Sequence, residues 1–278
     1  MSGLTEESVE EDPPTPGDVS LSGRTIVVTG AARGIGRATA RAVAAFGGDL
    51  ALVDRDPAVE DLARDLADAG RRVAVGTFDV RDRERVEEFA VRVEGELGVV
   101  HGVVNNAGGT YRAEFVDSSP KGDSALIAEN FTSVLDVTRS FVPLMTRGGS
   151  VVNVTSSEAF QAAPGFSVYS AMKAAQEQLA RTLALELADR GIRVNCVAPD
   201  GMPTPGDAEL AAAVAESSSF RPPPVPPWGG FAAPSACASV IVFLLGDLSG
   251  FVTGASIAVD GGLRAAGGWH RTPPPTTV

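Results

Sequence analysis

Short runs of β-branched residues alternate with longer amphipathic segments along most of the chain. The apolar runs predict seven strands, namely RTIVVTG, LALVD, RVAVGTFDV, HGVVNNAG, GSVVNVTS, IRVNCVAP and SIAVDGG. Segments rich in Ala, Leu, Arg and Glu lie between these runs, and their apolar positions recur at helical spacing. Strict strand–helix alternation implies right-handed crossovers, so we predict an α/β protein with a doubly wound parallel sheet in three layers, α/β/α.

Start and stop signals divide the segments between the strands into six helices. Pro57 stands at the first position of the second helix and Gly70 at its end, which is where these residues are favoured. The periodic segments predict helices over residues 36–47, 57–70, 83–98, 123–145, 167–188 and 235–245.

Composition divides the chain into one large domain and two tails. Residues 1–20 carry six acidic side chains and no Lys or Arg, which predicts a disordered acidic tail. Residues 21–265 contain no linker and predict a single domain, whereas residues 266–278 predict an unstructured C-terminal tail. The Pro- and Gly-rich stretch 200–230 is too long for an ordinary connection, so we expect it to form a lid over the substrate.

Charge and cysteine content argue against several classes of function. The net charge is −12 over 278 residues without any basic stripe, so neither nucleic acid nor an anionic membrane is an expected partner. Two distant cysteines, Cys196 and Cys237, predict neither a disulfide nor a metal site, which fits a reducing cytoplasm. The acidic N-terminus lacks the apolar core of a signal peptide, and no apolar run is long enough to span a membrane.

A glycine-rich turn, TGAARGIG, follows the first predicted strand and opens the first helix. Its glycines let the backbone turn sharply and approach a pyrophosphate, whose charge meets the helix N-terminus. A purely structural turn is the alternative, but the position between a strand and a helix predicts a dinucleotide site. The residues expected to line this site are Gly30, Arg33, Gly34, Ile35 and Gly36.

The second predicted strand ends at Asp54, 18 residues after Gly36. A carboxylate there accepts both ribose hydroxyls of an adenosine and repels a 2′-phosphate, which favours NAD as the cofactor. The alternative is that Asp54 caps the following helix. Because the guanidinium of Arg33 or Arg55 is able to hold a 2′-phosphate, NADP stays open as a cofactor.

The third and fourth predicted strands end in FDV and NNAG. Ligands bind at the carboxyl ends of parallel strands, so both segments are expected to flank the same crevice. Asp79, which precedes Val80, is placed to bond an adenine amino group, with helix capping as the alternative. Asn106 with the small Ala107 and Gly108 leaves room for the cofactor.

Tyr169 and Lys173 lie four residues apart in a predicted helix, so their side chains share one face. A nearby ammonium favours the phenolate and lowers the pKa of a tyrosine, whose ordinary value is about 10. The phenol can then exchange a proton with an alcohol or a carbonyl. Only two lysines occur in the chain, so the retention of Lys173 indicates a role that Arg does not fill; chance spacing on an exposed helix is the alternative.

Ser156 closes the fifth predicted strand, 13 residues before Tyr169. Its hydroxyl is expected to face the same crevice and to orient a substrate oxygen, with Ser157 as the alternative. Asn130 lies inside a predicted helix, where asparagine is a poor helix former. It is expected to hold a water that passes protons to Lys173, or else to bond within the bundle.

These motifs together resemble the short-chain dehydrogenase/reductase family. The resemblance covers about residues 22–263 and rests on TGAARGIG, NNAG, ENFTSV, the serine after GSVVNVT, YSAMK, NCVAP and VTGASIAVDGG, in the family's order and spacing. It implies a Rossmann fold, a nicotinamide cofactor and a homotetramer. It also places Thr204 at the nicotinamide carboxamide, Val197 beside the ring and Pro199 at the end of the sixth strand. The implied catalytic tetrad is Asn130, Ser156, Tyr169 and Lys173.

Two acidic residues depart from the family pattern. Asp200 follows Pro199 where the family usually has glycine, and Glu158 lies two residues after Ser156. Either these carboxylates point away from the site, or they meet a polar or cationic part of the substrate. The residues expected to shape the substrate pocket are Glu158, Phe160, Gln161, Phe166, Asp200 and Met202.

The sequence therefore predicts an NAD-dependent oxidoreductase that interconverts a secondary alcohol and a ketone, with Tyr169 as the general acid and base. An NADPH-dependent carbonyl or 3-oxoacyl reductase that uses Arg33 is the alternative enzyme. The alternative from another class of protein is a catalytically idle, NAD-binding sensor or scaffold that acts through its acidic tail.

Overall fold

Seven parallel strands form one sheet in the computed structural model, which describes residues 13–202 and 225–269. The strands are β1 (Thr25–Thr29), β2 (Asp49–Asp54), β3 (Val73–Thr77), β4 (Gly102–Asn105), β5 (Gly149–Val154), β6 (Ile192–Pro199) and β7 (Ser256–Val259). Their order is β3-β2-β1-β4-β5-β6-β7, so the direction of winding reverses between β1 and β4. The predicted doubly wound parallel sheet of seven strands is confirmed, and such a reversal is where these sheets bind ligands.

The helices of the described residues pack on both faces of this sheet. They are α1 (Gly34–Ala45), α2 (Ala58–Asp68), α3 (Arg83–Leu97), α4 (Pro120–Ile127), α5 (Ser133–Phe141), α6 (Ser167–Glu186), α7 (Pro234–Leu245) and α8 (Leu263–Ala266). Along β1, Val28 faces a core shared with α1, α2 and α7, whereas Val27 faces a core shared with α3, α5 and α6. Because successive strand residues alternate between faces, one buried strand serves both cores, and the three-layer prediction is confirmed.

The helix predicted over residues 123–145 is not one regular helix. It begins earlier, at Pro120, and a π-helical turn at Ala128–Thr132 separates α4 from α5. In this turn the Ser133 N–H bonds the carbonyl of Ala128, five residues back. The carbonyl of Asn130 accepts a hydrogen bond from the Gln176 side chain, which compensates for the broken helical pattern.

Both predicted tails lie partly outside the described residues. Residues 1–12 and 270–278 are not described, but Pro16–Val19 form a 3-10 turn that packs near the turn at Asp247–Ser249. The disordered acidic tail stays a prediction for the residues before this turn. Of the predicted lid, residues 203–224 lie outside the described part; beyond them, the Trp228 N–H donates to the carbonyl of Gly261 at 3.0 Å. None of the described helices has the length and apolar character that crossing a bilayer requires.

Candidate active site

The glycine-rich turn after β1 has no room for a side chain at Gly30 or at Gly36. Gly30 adopts φ +66°, and a Cβ there would lie 2.9 Å from the Cα of Ala107. A Cβ on Gly36 would overlap the carbonyl oxygen of Gly30. The first turn of α1, which begins at Gly34, therefore packs directly on the preceding loop, and backbone N–H groups line the space at the helix N-terminus.

Polar contacts fasten the end of β4 to the end of β1. The Thr29 Oγ1 atom accepts hydrogen bonds from the backbone N–H groups of Asn106 (3.1 Å) and Ala107 (3.0 Å). In return, the Asn106 amide donates to the carbonyls of Thr29 (3.0 Å) and Gly30 (3.1 Å). The two segments predicted to bind the cofactor thus form one rigid unit at the point where the strand order reverses.

Asp54 bridges the glycine-rich turn and the loop that follows β2. Its Oδ2 accepts from the Ala32 N–H at 2.9 Å and its Oδ1 accepts from the Asp56 N–H at 2.9 Å. The N–H of the first residue of α2, Ala58, is bonded instead by the Asp56 carboxylate at 3.0 Å. Helix capping is therefore not the role of Asp54, whose partly buried carboxylate keeps acceptor capacity at the edge of the crevice.

The two arginines near this edge both face carboxylates. Arg33 lies 3.6 Å from Asp56, whereas Arg55 lies 3.6 Å from Asp79 and 3.8 Å from Glu129. Both guanidiniums are more than half exposed, so these are weak surface ion pairs. A 2′-phosphate would have to compete with these carboxylates for either arginine.

Asp79 is held by an arginine that the sequence reasoning did not single out. The Arg81 guanidinium donates to both oxygens of Asp79, at 2.9 and 2.6 Å. These hydrogen bonds lower the pKa of Asp79 to about 2. The capping alternative for Asp79 is wrong, because Asp82 caps α3 by accepting from the Arg85 N–H at 3.2 Å. The next residue, Val80, is buried.

Tyr169 and Lys173 lie on one face of α6, as their spacing predicts. The Lys173 ammonium lies 5.6 Å from the centre of the Tyr169 ring and donates to the carbonyl of Val154 at 2.9 Å. Burial lowers the pKa of Lys173 to about 8, against the opposing influence of nearby groups that include Glu129 and Glu158. The lysine is thus anchored to the end of β5, directly below the tyrosine ring.

Asn130 presents a free oxygen toward this lysine. Its amide nitrogen donates to the carbonyls of Gly109 (2.8 Å) and Leu126 (3.1 Å), whereas the buried Oδ1 has no hydrogen-bond partner among the residues that the structure describes. A Cβ on Gly108 would lie 2.7 Å from this Oδ1 and 3.4 Å from the Lys173 Nζ, so both atoms converge on one point. Both sequence interpretations of Asn130 fit: the nitrogen bonds within the bundle, and the oxygen is available to a water.

Ser156 and Ser157 each contact a carboxylate. The Ser156 hydroxyl donates to Glu158 Oε2, and the Ser157 hydroxyl donates to Asp200 Oδ2. Ser157 also lies 3.5 Å from the same Glu158 oxygen. The two unusual acidic residues therefore point toward the end of β5 and not away from it.

The other residues predicted to shape the substrate pocket are placed unevenly. Phe160 is covered by the Arg264 guanidinium, 3.5 Å above its ring centre, and Phe166 precedes α6. Gln161 is exposed. Met202 is only 3% exposed and packs in the core with Val197, so the substrate role expected for Met202 is not supported. Pro199 ends β6, and Thr204 lies outside the described residues.

Several residues of the site were missed by sequence reasoning. Gln176 lies three residues after Lys173, so its position on the same helical face was visible, but its bond to the Asn130 carbonyl depends on the π-helical turn. Arg81 lies two residues after Asp79, which is a recognisable spacing for a local ion pair. Arg264 comes from α8 and had no local signal at all.

A cavity of about 350 Å³ lies beside Asp200, between the ends of β6 and β7 and residues 226–232. Its walls include Trp228, Phe231 and Val259. Within the described ranges, no cluster of three or more His, Cys, Asp or Glu side chains is arranged to bind a metal ion.

Comparisons with known proteins agree with this geometry. A family model described as enoyl-(acyl carrier protein) reductase matches residues 30–264. The 3-oxoacyl-[acyl-carrier-protein] reductase FabG of Thermotoga maritima is 36% identical over 246 residues, which is 87% of this chain and 98% of that protein. The cis-4-hydroxycyclohexanecarboxylate dehydrogenase of Sinomonas cyclohexanicum is 37% identical over 245 residues, covering 87% of this chain and 97% of the relative.

A solved structure agrees as well. The short chain dehydrogenase from Mycobacterium paratuberculosis bound to NAD superposes with a TM-score of 0.82 at 31% identity, covering 88% of this chain and 99% of that one. The chain belongs to the short-chain dehydrogenase/reductase family. It is therefore an oxidoreductase of the class that transfers hydride between a nicotinamide cofactor and a CH–OH group or its carbonyl. The relatives differ in substrate, so family membership settles the reaction class only.

Proposed function

We propose that this short-chain dehydrogenase/reductase interconverts a secondary alcohol and a ketone with NAD, and that Tyr169 is its general acid and base. The observation that carries the proposal is the buried Lys173 ammonium, 5.6 Å from the ring centre of the tyrosine. A positive charge at that place stabilises the phenolate, which is the form that removes a proton from an alcohol.

The residues present fit a dinucleotide. Gly30 and Gly36 let the turn pack closely against α1 and the end of β4, and the N-terminus of α1 opens at the ends of the strands. The Asp54 carboxylate keeps acceptor capacity for ribose hydroxyls, and Asp79 lies next along the strand ends. When bound, the nicotinamide cofactor accepts or supplies the hydride. The cofactor-binding set we propose is Gly30, Arg33, Gly34, Ile35, Gly36, Asp54, Arg55, Asp79, Val80, Asn106, Ala107, Gly108, Tyr169, Lys173, Pro199 and Thr204.

The remaining chemistry belongs to side chains of the chain itself. Ser156 holds the substrate oxygen next to the Tyr169 hydroxyl, which exchanges the proton; to hold a carbonyl oxygen, the Ser156 O–H turns from Glu158 to the substrate. Lys173 keeps the phenolate stable and uses its remaining N–H groups for the ribose and for a water. The unpartnered Oδ1 of Asn130 accepts from that water, which links Lys173 to solvent. The proton released by the alcohol thus has a route out of the buried site.

We favour NAD over NADP on electrostatic grounds. Asp54 places negative charge where a 2′-phosphate would lie, and Arg33 and Arg55 both face carboxylates already. Replacing Asp54 by Asn should therefore improve the use of NADPH relative to NADH by about tenfold or more. Equal use of both cofactors by the wild-type enzyme would contradict this preference.

We further propose a cytoplasmic homotetramer, as the family resemblance implies. Two apolar side chains support an interface on α6 and before β7, because Leu185 and Phe251 are exposed to solvent in the single chain. Light scattering on the purified protein tests the assembly: a monomer at micromolar concentration would contradict it. No membrane or nucleic-acid partner enters the proposal.

The function is tested with a panel of alcohols and ketones, followed at the absorbance of the reduced nicotinamide. We expect turnover of at least one secondary alcohol with NAD, and a loss of about 100-fold or more in kcat when Ser156 is replaced by Ala. Turnover with NADPH alone would instead indicate an NADPH-dependent carbonyl or 3-oxoacyl reductase. Tight binding of NADH without turnover of any panel member would favour a sensor or scaffold instead.

A further inference from the structure

We infer that Glu158 determines the substrate class, and that its carboxylate recognises a protonated amine next to the reacting carbon. The inference rests on the proposed function, because it assumes that the substrate oxygen is held by Ser156. It concerns the part of the substrate that does not react.

Glu158 is fixed close to the reacting oxygen by the local chain geometry. It lies in the 3-10 turn Ser157–Ala159, which follows the end of β5 after two residues, and Ser156 is the N-cap of that turn. The Ser156 hydroxyl donates to Glu158 Oε2, and the Glu158 N–H lies 3.4 Å from the Ser156 Oγ. A substrate whose oxygen contacts Ser156 therefore has its neighbouring carbon atoms beside the Glu158 carboxylate.

The Glu158 carboxylate has binding capacity left over. An ionised carboxylate offers about four acceptor sites, and both serine contacts fall on Oε2. Among the described residues, Oε1 accepts no hydrogen bond, and none of the ion pairs includes Glu158. The side chain is only partly buried, so this oxygen is accessible to a donor in the crevice.

The charge of this region selects a cation over an anion. Asp200 adds a second carboxylate on the other side of Ser157, at the edge of the 350 Å³ cavity. A carboxylate or phosphate on the substrate would meet like charge at short range, which is unfavourable. An ammonium donates a charge-assisted hydrogen bond, which is about twice as strong as the bond from a neutral hydroxyl. The favoured substrate is thus an amino alcohol or the corresponding amino ketone.

Substrates that share one ring but differ in the charge of a substituent separate the effect of charge from the effect of shape. The panel consists of cyclohexanol, 2-aminocyclohexanol and 2-hydroxycyclohexanecarboxylate, each with NAD at neutral pH. We expect the wild-type kcat/KM to be highest for the amine, and at least about tenfold above that for the carboxylate. Glu158→Gln keeps the shape of the side chain and removes its charge. It should therefore lower the ratio of kcat/KM for the amine to kcat/KM for cyclohexanol about tenfold.

The matched control is Glu88→Gln, which removes one negative charge from the exposed face of α3. This variant should leave unchanged the ratio of kcat/KM for the amine to that for the carboxylate, and the ratio for the amine to that for cyclohexanol. Glu158→Asp, which keeps the charge, should retain a preference for the amine. Equal loss for all three substrates in Glu158→Gln would show that the carboxylate only positions Ser156, and would overturn the inference. A wild-type preference for the carboxylate would overturn it too.

A binding measurement keeps this test independent of the proposed reaction. Cyclohexylamine and cyclohexanecarboxylate are added to the NADH complex, and the shift in thermal unfolding is recorded. We expect the amine to stabilise wild type more than the carboxylate does, and Glu158→Gln to remove that difference. If no panel alcohol turns over but this difference is present, the proposed function fails and charge recognition by Glu158 stands. If alcohols turn over and the difference is absent, only the inference fails.

Discussion

A single buried lysine connects the stability of this protein to its chemistry. Lys173 is 4% exposed, and within the described part of the chain its ammonium donates one hydrogen bond, to the carbonyl of Val154. Burial disfavours the charged form, whereas the proposed role of the residue requires it. A pKa of about 8 leaves most of the population charged at neutral pH, so the fold tolerates the burial without losing the function.

NMR of [ε-13C]lysine tests this balance, because the chain has only two lysines. We expect one signal to titrate near pH 8, and Lys121→Arg to leave that signal in place. In the unfolded chain, Lys173 keeps its proton up to the ordinary lysine pKa of 10.5, whereas in the folded protein it loses the proton near pH 8. The free energy of unfolding of the wild type, measured relative to that of Lys173→Met, should therefore rise between about pH 8 and 10.5. A midpoint above pH 10 for the buried signal would contradict the account.

At the same scale, the sequence predicted which residues meet but not all of their orientations. Tyr169 and Lys173 follow from helical spacing alone. The direction of Glu158 does not, because it depends on the 3-10 turn after β5 and on the neighbouring Ser156. Asp79 was expected at the crevice, and its spacing from Arg81 permits a local ion pair, but the bidentate geometry also requires the loop conformation after β3.

Among the elements, α1 packs tightly on the turn before it. The helix N-terminus is useful for a phosphate only because Gly36 lets it pack on Gly30. Regular elements of this kind were predictable from glycine spacing and periodicity. The π-helical turn Ala128–Thr132 was not, because residues 123–145 read as one helical pattern and the interruption depends on a tertiary contact from Gln176.

Two Gly→Ala substitutions compare a crowded glycine with an uncrowded one. Gly36→Ala should destabilise the fold by about 1–3 kcal/mol and weaken NADH binding, because its Cβ would overlap Gly30. Gly95→Ala, in the exposed face of α3 with nothing within 4 Å, should stabilise the fold by about 0.5–1 kcal/mol. Urea unfolding measures both; equal effects of the two substitutions would contradict the packing described here.

For the molecule as a whole, the decisive feature is that one edge of the sheet collects every proposed functional group. The ends of β1, β2, β3 and β4 carry cofactor residues, and the ends of β5 and β6 carry the serines and Asp200. Strand–helix alternation predicted this convergence, since parallel strands end at a common edge. The contact between Arg264 and Phe160 was not predictable in the same way, because the two residues lie far apart in the sequence.

Substitution of Thr29 tests how much its side chain contributes to the junction between the ends of β1 and β4. Thr29→Val removes the acceptor for two backbone N–H groups, those of Asn106 and Ala107. We expect a loss of about 1–3 kcal/mol in unfolding free energy together with weaker NADH binding. Thr182→Val, on the exposed side of α6, is the control and should change neither quantity. A destabilised variant that binds NADH normally would show that this junction does not shape the crevice.

The most direct test of the account is the rate of hydride transfer after removal of one hydroxyl group. Tyr169→Phe keeps the ring beside Lys173 but leaves no atom to exchange the proton. We predict that kcat falls by about 100-fold to 10,000-fold while NADH binding persists, and that Tyr111→Phe, at the only other tyrosine, retains wild-type turnover. A Tyr169→Phe enzyme that turns over as fast as wild type would contradict the central claim.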